Sequence, residues 1–135
     1  MKYTSELHSL ALISIATAPM WVPYVLGRMT THGVLRAIGT PGPGYPADAP
    51  WVDRARRAHL NAIENLAVFA PLVLVGAIIG VSTRTTVLSA EIYVAARLAH
   101  YVIYAAGIPV VRTLAFLIGA CATLAIGIVL LCSSA

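Results

Sequence analysis

The stretch RARRAHLNAIENLAVF, residues 54 to 69, carries a carboxylate and two amides into otherwise apolar sequence. Arg57, Asn61 and Glu64 are spaced i, i+4, i+7, which places them on one helix face within about 60° of arc. Arg54 precedes them by one turn. A second stripe, Arg97, His100 and Tyr104, repeats the pattern at i, i+3, i+7, with Tyr101 beside it. Arg28 and Arg112 stand at the ends of two further apolar segments. Arginines in excess of carboxylates make an anion site, because the guanidinium fork binds carboxylates through two parallel hydrogen bonds. A lone carboxylate among them, Glu64, suits a ligand ammonium. A small zwitterion with more than one carboxylate fits that set.

The elements that must position these groups follow from composition. Of the 135 residues, 59% are hydrophobic and 10% charged, and mean hydropathy is +0.85. A soluble domain of this length needs far more polar surface. The chain is therefore expected to be an integral membrane protein with one domain, residues 1–135. Four apolar segments are about 20 residues each, enough to cross a ~30 Å hydrocarbon core as helices. They predict an all-α antiparallel bundle of four transmembrane helices, approximately 5–28, 54–81, 84–107 and 110–132. The connection 29–53 is the only long loop; its GTPGPGYPADAPW run forbids regular helix, with a short turn possible near Val34 to Ile38. The tight connections GVSTRTT and AGIPV force antiparallel neighbours. No internal repeat is present.

Pro19 after the Ala16-Thr17-Ala18 motif, and an apolar run continuing to Leu26, argue against a cleaved signal peptide. Pro19 and Pro23 are expected to kink the first helix. The first loop holds five of the nine basic residues, so the positive-inside rule places loops one and three in the cytoplasm and both termini outside. The charge of +4 then lies at one membrane face, which leaves no basic soluble surface for nucleic acid. Cys121 and Cys132, eleven residues apart on one helix, are about 16 Å apart, too far to bridge; they are expected to be buried small residues, and no metal site is expected.

Depth adds a constraint. Helix two enters from the cytoplasm and helix three returns to it, so Arg57 to Glu64 and Arg97 to Tyr104 share one level, with Arg28 and Arg112. Plainer readings exist for single residues. Arg54, Arg56 and Arg28 can be interfacial anchors, Asn61 interhelical glue, His100 a packing residue, and Glu64 the partner of Arg97 or Arg57. They account less well for so many polar groups at one depth, where intramembrane charge is costly.

The two patterns together, Arg57-x-His59-x-Asn61-x-x-Glu64 and Arg97-x-x-His100-x-x-x-Tyr104, followed by Arg112, resemble the MAPEG family, membrane-associated proteins in eicosanoid and glutathione metabolism. The resemblance covers essentially the whole chain, and its short length is similar to the bacterial branch. It implies a homotrimer of four-helix bundles, with glutathione as co-substrate between neighbouring subunits near the cytoplasmic face, here of the bacterial inner membrane. It implies that Arg28, Arg57, Asn61, Glu64, Arg97, His100, Tyr104 and Thr113 bind glutathione, with Glu64 on its ammonium or a backbone amide. Arg112 is implied as the catalytic residue near the sulfur, favouring thiolate over thiol. The thiolate would attack a lipophilic electrophile or reduce a hydroperoxide arriving through the membrane lipids.

Departures from the family pattern lie at Asn65, Phe116 and Thr113, of which Thr113 keeps a hydroxyl. They argue against prostaglandin or leukotriene synthesis. The alternative is a non-catalytic member binding a lipid or other small ligand at the same site. A transporter or proton relay using Glu64 and His100 is the third and least favoured reading. No role for Asn65, about 100° from Glu64 around the helix, follows from the sequence.

Overall fold

The threonine before the first apolar run starts the first helix. In the computed structural model, which describes residues 2–133, the Thr4 hydroxyl accepts a hydrogen bond from the Leu7 N–H and caps α1, Ser5–Thr17. Pro19 and Pro23 cannot donate to an α-helical ladder. The chain tightens there into a 3-10 turn over Ala18–Trp21 and resumes as α2, Val22–His32. Gly33, at φ 84°, ends α2 and turns the chain into α3, Val34–Ile38. The stretch from Gly39 to Ala49 is the longest without helix among the described residues. Pro50 occupies the first turn of α4, Pro50–Ile79, where its missing N–H costs nothing. α5 spans Arg84–Ala106 and α6 Pro109–Ser133. No strand occurs among the described residues.

Three helical stretches are long and apolar enough to cross a membrane: Ser5–His32, Pro50–Ile79 and Pro109–Ser133. The outward faces of the bundle are apolar: Ile15, Val68, Ile78 and Leu131 are among its exposed side chains. Such a surface is an aggregation liability in water and an ordinary one in lipid. The chain is a multi-pass integral membrane protein. α5 has the length to cross but carries Glu91, Arg97 and His100. It lies at the centre of the packing, against α1, α4 and α6. Cys121 and Cys132 prove exposed rather than buried; Cys121 lines an open groove between α5 and α6.

Small residues let the helices approach closely. Ala55, Ala58 and Ala62 are buried on α4, Ala90 and Ala96 on α5, and Ala115 and Ala122 on α6. Dispersion at close range replaces the hydrophobic drive that lipid removes. At Gly27 the approach is closest: a Cβ there would lie 2.6 Å from both the Trp51 ring and Val52. Phe69 and Tyr93 stack at the centre, ring centroids 3.8 Å apart, beside Ile13, Val73, Val94 and Ile126.

Each end of the bundle has a polar clasp that the sequence did not announce. At one end Glu6, only 6% exposed, accepts hydrogen bonds from Ser82 Oγ at 2.9 Å and Thr86 Oγ1 at 2.5 Å. Thr86 is also half of the capping box that starts α5. Glu6 thus joins α1 to the α4–α5 turn. At the other end Asp48 accepts from Arg28 Nε and Nη2 at 2.8 and 2.5 Å, and His32 Nε2 lies 3.3 Å from its second oxygen. Tyr45 packs edge-on against the His32 ring. The connection 39–49 is therefore pinned to the end of α2.

The paired hydrogen bonds from Arg28 hold the Asp48 carboxyl below the usual aspartate range, against the opposing effect of burial. A carboxyl depressed in the fold contributes stability above its unfolded pKa, and that contribution fades as pH falls through the folded value. Protection of residues 39–49 from proteolysis is thus expected to be constant above about pH 5 and to fall below about pH 4. Asp48→Asn should lower protection at neutral pH by about 1–2 kcal/mol and remove the acid dependence. Limited proteolysis across pH reads both.

Candidate functional site

α4, α5 and α6 converge on a pocket of about 190 Å³ lined by Asn61, His100, Tyr104, Arg112, Thr113 and Phe116. Three helices and the α5–α6 turn build it. Gly107, at φ 82°, ends α5, and α6 begins two residues later, so Tyr104 and Arg112 face each other across a tight reversal. The Arg112 guanidinium sits 4.5 Å above the Tyr104 ring. Tyr104 in turn meets the edge of the His100 ring at 5.5 Å, and Phe116 lies 6.1 Å from the same imidazole. Arg112 has no carboxylate partner among the described residues. The pocket thus presents a guanidinium, an imidazole, an amide, a phenol and a hydroxyl, with no acid among its lining residues. Thr113 directs its hydroxyl proton to the Pro109 carbonyl at 3.1 Å, which leaves its oxygen free to accept.

The structure brings Asn61, His100, Tyr104, Arg112 and Thr113 together at this pocket and leaves the other four sequence candidates off it. Arg57 pairs with Asp53 one turn earlier at 2.8 Å and is 62% exposed. Glu64 is exposed on the outer face of α4 and makes no ion pair among the described residues. Neither Arg57 nor Arg97 is its partner, so the ion-pair accounts of Glu64 fail. Arg28 is committed to Asp48. Arg54, expected to be an interfacial anchor, donates instead to the Ala105 carbonyl at 3.1 Å. It satisfies an orphan acceptor at the end of α5 and lies beside Gly107.

Arg97 departs furthest from expectation. The family resemblance implies a ligand-facing arginine, yet Arg97 is 2% exposed and turned into the bundle. Its guanidinium lies between the rings of Tyr93, at 5.3 Å, and Phe116, at 5.0 Å. Nη2 donates to Asn65 Oδ1 at 2.7 Å, while Nε and Nη1 are buried without a hydrogen-bond partner. Heptad arithmetic put Arg97 on the stripe of His100 and Tyr104, and that is correct for Cα positions. A long side chain reaches beyond its own stripe, however, and the gap opposite Gly119 receives it. Asn65, the residue the sequence left without a role, is the one that holds it. Asn65 is the polar group that sequence reasoning missed here; its one legible sign is its i, i+4 spacing from Asn61.

A family model described as the MAPEG family matches residues 9–132. Microsomal glutathione S-transferase 1 of Bos taurus is 39% identical over 69 residues, which is 50% of this chain and 44% of that protein. The Sus scrofa and Homo sapiens proteins of the same name are 38% and 36% identical over the same length and shares. The aligned stretch thus spans less than half of these relatives. Since the family model runs across all four long helical stretches and every residue of the pocket, the chain belongs to the MAPEG family.

Proposed function

We propose that this chain is a glutathione-dependent membrane enzyme, a transferase or peroxidase acting on lipophilic electrophiles or hydroperoxides. The observation that carries this reading is the pocket itself, a cationic and donor-rich hollow with no acid, reached from an apolar surface. The curated relatives named for glutathione transfer support the choice of thiol. Arg112 is the catalytic residue. Its guanidinium favours the thiolate of glutathione over the thiol. The thiolate sulfur forms a bond to the electrophilic carbon, the leaving group departs with its electron pair, and the thiol proton passes to water. With a hydroperoxide, two glutathiones yield their disulfide, an alcohol and water.

Asn61, His100, Tyr104 and Thr113 hold the ligand in this reading. Arg57 and Glu64 complete the site from a neighbouring copy in a homotrimer, with Glu64 on the ligand ammonium. An exposed carboxylate with no partner is costly against lipid, so covering Glu64 with a ligand and a second subunit removes that cost. Arg28 borders the same interface. α5 serves as a fourth crossing, and the basic connection between α2 and α4 faces the cytoplasm, with both termini opposite.

A non-catalytic role draws on a different observation. Two apolar grooves of about 440 Å³ each run along α5, one against α1 and one against α6, and either is wide enough for an acyl chain. The test is purified protein with glutathione and chlorodinitrobenzene. Conjugation above the uncatalysed rate, and a melting temperature raised by millimolar glutathione through mass action, are the expected results. No conjugation and no shift, beside a shift with added lipid, would replace this reading with the binding one.

A further inference from the structure

We infer that Asn65 and the buried Arg97 are positioning residues that fix which end of the Asn61 amide faces the pocket, and so make the pocket selective for an anionic acceptor group. The inference deepens the glutathione reading, since it concerns the group of the ligand that Asn61 meets.

A guanidinium has only donors. Asn65 must therefore turn its oxygen to Arg97, as it does at 2.7 Å. Its Nδ2 is then left to donate, and it does so to Asn61, to the backbone carbonyl at 2.8 Å and to Oδ1 at 3.2 Å. That contact turns Asn61 Oδ1 toward Asn65. The opposite end of the same planar amide is an NH2 group, and Asn61 lines the pocket. No hydrogen bond uses that NH2 among the described residues. The amide orientation is thus set by a chain of forced choices, beginning with a cation that cannot accept.

The start of the chain cannot reorient. Arg97 is fully enclosed, sandwiched by Tyr93 and Phe116, and a Cβ on Gly119 would lie 2.8 Å from its Nε. Phe116 has one face toward Arg97 and also lines the pocket. The buried cation therefore never touches ligand. It acts through Asn65 on Asn61, and the amide hydrogens of Asn61 join the Arg112 guanidinium as donors into one hollow. An acceptor such as a carboxylate or thiolate is favoured there, and an ammonium is not. Glu64, which suits an ammonium, lies outside the pocket on the outer face of α4.

Asn65→Asp separates this role from mere packing. The carboxylate still accepts from Arg97, so the buried bond survives as an ion pair. It has no hydrogen to give Asn61, whose amide must turn over and present Oδ1 to the pocket. Full-length protein in detergent micelles is titrated with glutathione and, separately, with sulfate, following both the melting temperature and the conjugation kinetics. Asn65→Asp trades the bond to the Asn61 carbonyl for an ion pair with Arg97, and is expected to melt near the wild-type temperature. Its glutathione dissociation constant and KM should rise roughly tenfold or more, with kcat changing less, and stabilisation by sulfate should disappear. Asn65→Leu should lower melting temperature and binding together, since it strands the guanidinium.

A folded Asn65→Asp variant that binds glutathione and sulfate as the wild type does would overturn the inference and leave the glutathione reading standing. Wild-type protein stabilised by sulfate but not by glutathione, with the sulfate effect lost in Asn65→Asp, would remove the glutathione reading and keep the inference. Wild-type protein that responds to neither anion would remove both.

Discussion

Arg112→Ala is expected to lower turnover of glutathione with a model electrophile by roughly ten- to hundredfold at neutral pH, with a smaller loss of glutathione affinity. The reason is electrostatic. Arg112 has no carboxylate to neutralise it and is held 4.5 Å over the Tyr104 ring, so its full charge is available to a thiolate in the pocket. A neighbouring cation lowers a thiol pKa by about one to two units, and each unit is tenfold in thiolate at a pH below the pKa. The same argument fixes the shape of the pH profile. Loss of the cation raises the ligand thiol pKa, so the rate of the variant should climb at higher pH than that of the wild type. The deficit should therefore narrow as pH rises above about 9. Arg112→Lys keeps the charge and should recover part of the rate. A pH-independent deficit would assign Arg112 to binding geometry, and an unchanged rate would remove it from the chemistry.

Gly119→Val is expected to be severely damaging to stability, at about 3 kcal/mol or more. The first added carbon would lie 2.8 Å from Arg97 Nε, 3.0 Å from Cζ and 3.1 Å from Nη2. The guanidinium has nowhere to go, with Tyr93 and Phe116 on its two sides and Asn65 at its tip. Displacing it breaks the bond to Asn65 and leaves a buried cation with no acceptor, which adds to the overpacking cost. The second change Arg97→Met should restore part of the loss, because a flexible apolar chain of lower volume fills the same gap. The double-mutant cycle then shows a coupling energy well above measurement error. Gly127→Val is the control. It lies on the same helix with its nearest neighbour, a Leu72 methyl, at 3.7 Å, and should cost far less. Thermal unfolding in one detergent measures all five proteins, the wild type, Gly119→Val, Arg97→Met, the double variant and Gly127→Val. Equal losses at Gly119 and Gly127 would refute the close fit around Arg97.

The membrane class and the positions of the long helices were legible in the sequence, because both depend on local properties. Hydropathy over about 20 residues reports whether a helix can lie in lipid, and Gly33, Gly80 and Gly107 mark chain reversals at positive φ that other residues resist. The pocket was half legible. Periodicity along α4 and α5 placed Asn61, His100 and Tyr104 on stripes at one depth, and the short α5–α6 turn carried Arg112 and Thr113 to the same level. MAPEG membership was legible in the same residues, since the two stripes are the chain's most specific pattern.

What the sequence could not decide is where long or small side chains go once helices pack. A helical stripe fixes Cα direction, whereas a guanidinium extends several ångströms and seeks the nearest gap that can bury it. That gap exists only because Gly119 of α6 has no side chain opposite Arg97, a fact about two helices together. Asn65 points off the Glu64 stripe and so carried no signal, yet it is the acceptor that the buried cation needs. Glu6 and Asp48 likewise draw their meaning from partners 80 and 20 residues away. By itself the sequence determined that this is a helical membrane chain with a polar level rich in arginine. Only the tertiary structure divided those arginines, sending Arg112 to the pocket, Arg54 to a helix end, Arg28 to a loop and Arg97 to the interior, because each role depends on the group that packing places opposite.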